Sequence, residues 1–61
     1  MISAGSLVRT RAHRWDMPVG GIYLVISDPY NHPGGADYIV VDVLFKGNAR
    51  VIDIHNVEKV Q

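Results

Sequence analysis

Three histidines, His13, His32 and His55, three serines and three tyrosines are the side chains in this 61-residue chain that could do chemistry, and their spacing decides against most of it. A zinc-type centre needs two or three ligands converging within ~2.0–2.2 Å of one ion. The histidines stand about twenty residues apart in a strand end, a loop and a turn, with no ligand spacing among them, so no metal site is expected. Ser3, Ser6 and Ser27 lie in no nucleophile-elbow context, and there is no cysteine. The pairs Gly20-Gly21 and Gly34-Gly35 lack the spacing and the following helix of a phosphate cradle and read as turn glycines. No catalytic constellation and no cofactor site is expected.

Two binding chemistries remain. Trp15 and Met17 fall in one loop and Tyr30, His32 and Pro33 in another, with Tyr38 just beyond. Trp and Tyr give large contact area and a polar handle, so Trp15, Tyr30 and Tyr38 are candidate protein-binding residues. Trp15 serves equally well as a lid over a small core. The second chemistry is basic. Arg9 and Arg11 alternate with His13 on one strand face, and with Arg14 and Arg50 they are the candidates for a phosphate-binding, nucleic-acid surface. Six basic residues balance six acids, so the clear basic excess of a nucleic-acid module is missing. The charge is uneven, however: the first 15 residues carry +3 and the other 46 carry −3 (Lys46, Arg50 and Lys59 against six acids).

The elements that would position these residues are strands. Valine, isoleucine and aromatic residues gather in five short runs punctuated by glycine and proline. In Ser6–Ala12, alternation sets Val8, Thr10 and Ala12 on one face and Leu7, Arg9, Arg11 and His13 on the other. Gly21–Asp28 is read with Ile22, Leu24 and Ile26 inward and Tyr23, Val25 and Ser27 outward. The stretch PYNHPGGAD reads as a second long loop. In Tyr38–Lys46, pointing Asp42 to water places Ile39, Val41, Val43 and Phe45 on the buried face. Gly47-Asn48 suits a two-residue primed turn, so ARVIDIH pairs antiparallel with the preceding strand. Asn56 is expected to cap a single 3-10 turn that brings Val57 and Val60 inward and lets the closing residues pair with the first strand. Leu44, Ile52 and Ile54 are left facing outward, an apolar surface that calls for a partner unless a β-bulge turns Ile52 and Ile54 inward.

A chain this short buries only about 60% of the surface its unfolded form exposes. With no disulfide to support it, and with 48% hydrophobic residues, it is expected to self-associate. One domain spans residues 1–61. The start lacks the charged and apolar regions of a secretory signal, and no apolar run approaches the ~18 residues of a membrane helix. A soluble cytoplasmic protein with no membrane partner is the expectation.

The stretches GSLVRTR, GIYLVI, VVDVLFKGNAR and IHNVEKV, in that order, resemble the small SH3-like barrels common in bacteriophage genomes, most of them without assigned function, and the likeness covers nearly the whole chain. It implies an all-β, five-stranded SH3-like small barrel with a short 3-10 turn before the last strand, and a non-enzymatic interaction or assembly module that is homo-oligomeric. The ending ARVIDIHNVEKVQ is also similar to the plasmid-encoded, trimethoprim-insensitive dihydrofolate reductases, tetramers of SH3-like chains. Their pore uses a Gln-Ile-Tyr stretch where this chain has Arg50-Val51-Ile52, so that resemblance does not carry the activity over. Eukaryotic SH3 domains bind proline-rich peptides through an ALYDY-like aromatic run, and nothing here matches it.

Overall fold

A computed structural model describes residues 1–11, 18–35 and 38–61. The fold is all-β, with six short strands and one turn of 3-10 helix. The strands are β1 (Leu7–Thr10), β2 (Ile22–Leu24), β3 (Tyr30–Asn31), β4 (Ile39–Phe45), β5 (Asn48–Asp53) and β6 (Val57–Lys59), with the 3-10 turn at Ile54–Asn56. Two three-stranded antiparallel sheets result, ordered β2-β1-β6 and β3-β4-β5. They meet at a single bridge, Val25 opposite Val43, next to which the Ile26 N–H donates to the Asp42 carbonyl at 2.8 Å.

This corrects the expected five-stranded closed barrel: the described ladders form two sheets joined at one point, and the sixth strand is β3, inside the second loop. Pro29 and Pro33 flank it, and a residue without an N–H cannot extend a ladder, which limits β3 to two residues.

The expected pairing of the chain's two ends is present. β6 lies antiparallel to β1 with Val8 opposite Lys59 and Thr10 opposite Val57. Beyond it, the Leu7 N–H donates to the Gln61 carbonyl at 2.7 Å and the Val60 N–H to the Leu7 carbonyl at 2.8 Å. Both backbone edges of β1 are thereby occupied, one by β2 and one by β6.

The core is one cluster of Val8, Val25, Val41, Val43, Phe45, Ile52 and Val57. Thr10 is buried beside it, its hydroxyl donating to the Pro18 carbonyl at 2.8 Å, which satisfies the one polar group that β1 turns inward. Val8, Thr10, Val41, Val43 and Phe45 are inward as the alternation predicts, and Ile39 is half-buried. Val40, on the opposite face of β4, is also fully buried, which alternation alone does not predict.

Four expectations fail. β2 presents its other face: Val25 is buried and Tyr23 packs on the core with its ring 5.5 Å from that of Phe45, while Ile22, Leu24 and Ile26 are exposed. Both faces of this run are apolar, and the bridge to Val43 selects the one that turns inward. Ile52 and Ile54 are not on the surface. Ile52 is fully buried opposite Val41, and Ile54 packs against the core because β5 stops at Asp53 and the 3-10 turn breaks the alternation, with no bulge required. The cap of that turn is Asp53, whose carboxylate accepts from the His55 N–H, and Asn56 is its last residue. Val57 is buried as expected, but Val60 is exposed.

The hairpin turn is also displaced by one residue. Phe45 pairs with Asn48, so Lys46 and Gly47 are the central residues, at φ of 50° and 79°. Two positive values make this a primed turn, whose twist matches the flanking strands. A Cβ at position 47 meets nothing within 4 Å, so Gly47→Ala tests conformation alone. Left-handed backbone costs an L-residue about 1 kcal/mol or somewhat more. For a domain of this size that lowers Tm by about 4–8 °C, measured by thermal melting.

Candidate interaction face

Register and alternation map the outward surface of the two sheets row by row. Leu7 pairs with Leu24, Leu24 lies beside Leu44 in the ladder position next to the Val25–Val43 bridge, and Leu44 pairs with Ala49. Three leucines and an alanine thus form one row across four strands. On one side of it the next row is Ile26, Asp42 and Val51; on the other are Arg9, Ile22 and then Lys46, which lies in the turn. Beyond Asp42 come Tyr30 opposite Val40 and Asp53, and then His32 with Tyr38.

Ile22, Leu24, Ile26, Leu44 and Val51 are each between 39% and 50% exposed, and Tyr30 and Tyr38 are 37% and 42% exposed. At roughly 200 Å² for a fully exposed large side chain, these seven present on the order of 600 Å². That matches the largest apolar patches of ordinary monomers, which are often functional. It is also a large share of a molecule whose whole described surface is 3972 Å².

Asp42 is a charged group in the middle of this surface, with Asp53 at its edge. The Tyr30 hydroxyl donates to its Oδ1 at 2.7 Å, and the Asp42 N–H donates to Ser27 Oγ at 2.9 Å. Tyr30 stands opposite the fully buried Val40, and its hydroxyl reaches past that position to Asp42. The hydrogen bond to the carboxylate, with its charge adding to the effect, raises the Tyr30 phenol above its usual 10.0. A tyrosine whose folded pKa is raised lends stability that is complete below the unfolded value and is lost as pH rises through the folded one. Absorbance titration is therefore expected to show the Tyr30 phenol ionising later than normal, and Asp42→Ala, which removes both the acceptor and the charge, is expected to make it ionise earlier. An unchanged titration in that variant would break the assigned contact.

The aromatic end of the face is held by the second loop. The His32 N–H donates to the Tyr38 carbonyl at 2.7 Å, the two rings lie 5.4 Å apart, and the Gly34 N–H donates to His32 Nδ1 at 3.1 Å. Tyr30 and Tyr38 are thus brought to one face. Trp15, the third candidate contact residue, lies outside the described residues.

The basic candidates are spread differently. Arg9 lies on the outer face of β1 with Nη1 4.0 Å from Glu58 Oε1, both exposed, a pairing of little energetic weight. Arg50 pairs with Val43, on the inner side of β5, with its guanidinium 5.9 Å from the Phe45 ring centroid. Arg11 is exposed beyond the end of β1, and its N–H donates to the Asn56 carbonyl at 2.7 Å. Arg14 and His13 lie outside the described residues. Arg9 and Arg50 therefore face different directions.

At the far corner, the His55 N–H donates to Asp53 Oδ1 at 2.8 Å, and the same oxygen lies 3.0 Å from His55 Nδ1. The backbone bond first, and the ring second, hold the Asp53 carboxyl below its usual 3.8. The stability this lends is present above that value and is lost as pH falls through the lowered one. Among the described residues, no helix is long and apolar enough to cross a membrane, and no three His, Asp or Glu side chains converge as a metal site would need.

What the sequence reading missed is the part of the face contributed by β2. The available signal was that the run carries apolar residues on both faces, Ile22, Leu24 and Ile26 on one and Tyr23 and Val25 on the other, so whichever face turns inward leaves an apolar stripe outside. No family model matches the chain, and no curated protein or solved structure matches it.

Proposed function

We propose that this chain is an SH3-like small barrel of the kind found in bacteriophages, acting as a non-enzymatic, homo-oligomeric protein-interaction or assembly module. The contiguous apolar surface of β2, β4 and β5 is its working face. The observation that carries this reading is the exposed row of Leu24, Leu44 and Ala49, continued by the half-buried Leu7, with the exposed Ile22, Ile26 and Val51 beside it. The SH3-like assignment is supported by β1 lying between β2 and β6, by the contact of β2 with β4, and by the 3-10 turn before the last strand. Tyr30 and Tyr38 extend the face, and Trp15 is retained as a contact residue from the sequence alone.

Salt dependence tests this against phosphate binding by the basic strand. Contacts between apolar surfaces respond little to ionic strength, whereas binding through several phosphates loses orders of magnitude between low and moderate salt. Light scattering after size-exclusion chromatography is expected to give a mass above 6.8 kDa at both low and high salt. A monomer under both conditions, together with salt-sensitive binding of an oligonucleotide that Arg9→Ala weakens, would replace this reading with the nucleic-acid one.

A further inference from the structure

Resting on the reading of this face as an interaction surface, we propose that its occupant is a second copy of the same chain, packed face to face about a two-fold axis that runs along the leucine row. The first argument is area. Ile22, Leu24, Ile26, Leu44 and Val51, which lie in the rows that the axis covers, present on the order of 400 Å², and Leu7, Ala49 and the atoms around them add to it, the size of a weak, reversible interface of under ~1,200 Å² in total.

The second argument is charge. An axis lying in the contact plane along the leucine row reverses strand direction between the copies. Leu24 and Leu44 then meet Leu24 and Leu44 of the second copy, and each position two residues before Leu44 meets the one two residues after it. Those positions hold Asp42 and Lys46, of opposite sign, and the operation makes the contact twice. Ile26 meets Ile22 of the second copy in the same way. An axis parallel to the strands would instead lay Asp42 on Ile26 of the second copy, a carboxylate against an aliphatic side chain.

Each participating group is free to play its part. The Tyr30 hydroxyl holds Asp42 Oδ1 and fixes the carboxylate on the face. Lys46 is exposed in the turn, its Nζ 5.3 Å from the Phe45 ring centroid, a contact that is weak at an exposed site and leaves the long stem able to reach across. The leucines supply the attraction and the Asp42–Lys46 pairs set the register.

Charge reversal tests the geometry. Asp42→Lys and Lys46→Asp each place like charges at both contacts and are each expected to weaken dimerisation about tenfold or more. Mixing the two variants restores both opposite-sign contacts, so equimolar solutions are expected to form heterodimers of twice the single-chain mass by light scattering. As a measurement that does not depend on Asp42, Leu44→Cys in this cysteine-free chain is expected to be joined to itself by a short bis-maleimide, while Val19→Cys, outside the rows of the face, is not. Restoration on mixing, or selective joining at Leu44, supports the arrangement. If the wild type associates and Leu44→Lys disperses it, yet neither result appears, the geometry is overturned and the interaction face stands. If the wild type is monomeric at every concentration, self-pairing is overturned outright.

Discussion

Replacing Ile52 with alanine is expected to remove about half of the protein's stability against chemical denaturation. Ile52 is fully buried opposite Val41, in a cluster of only seven side chains. Large-to-small changes of this kind cost about 2–5 kcal/mol. A domain of 61 residues has about 3–9 kcal/mol in all, at the usual 0.05–0.15 kcal/mol per residue. On central values the substitution removes roughly half of the available stability, and a cavity among six neighbouring core residues has little surrounding structure to collapse into it. Val51→Ala, one residue earlier and on the exposed face, is the control and is expected to cost less than about 1 kcal/mol. Chemical denaturation of both variants checks this. Equal costs would mean that β5 presents its other face inward.

Deleting Glu58–Gln61 is the second large effect. The deletion removes the partners of Val8 and Arg9 in β6 and the acceptor at Gln61 and donor at Val60 that pair with Leu7. One edge of β1 is then unpaired next to the fully buried Val8, and an exposed edge beside apolar side chains invites intermolecular pairing. The truncated chain is expected to lose its cooperative thermal transition and to aggregate. A sharp melting transition near that of the full chain would show that β1 does not depend on the closing residues.

What could be read from the sequence was whatever an alternating pattern with one polar marker determines. Asp42 interrupts the apolar run of β4 and so fixes Val41, Val43 and Phe45 inward. Arg9 does the same for Val8 and Thr10 in β1. β2 carries no such marker, since Ile22, Leu24 and Ile26 alternate with Tyr23 and Val25, and only the bridge to Val43, distant in sequence, chooses between the faces. The turn shows the same limit at shorter range. Lys46-Gly47 and Gly47-Asn48 both allow a primed hairpin, and the turn adopted is the one whose register sets Ile52 opposite Val41. Ile54 was misplaced because period-two counting was carried one residue past the end of the strand. β3 escaped notice because a two-residue strand leaves no pattern to count.

Part of the candidate face was legible and part was not, for the same reasons. Tyr30, Tyr38 and Leu44 were visible as aromatic and aliphatic residues with no core position to fill. Ile52 and Ile54, expected beside Leu44, belong to the core and its edge, and their place on the surface is taken by Leu24, Ile26 and Val51. The expectation of an outward apolar surface thus has a counterpart in the structure, built from a largely different set of side chains.

The exposed leucine row as the seat of assembly is tested most directly by sedimentation equilibrium of the wild type and of Leu44→Lys. The side chain of Leu44 is 43% exposed, so lysine can be accommodated at its position without disturbing the core. The expected result is a wild-type mass above 6.8 kDa that rises with concentration, and a variant that stays at the single-chain mass while keeping a cooperative melting transition. A folded variant that still associates like the wild type would contradict the claim.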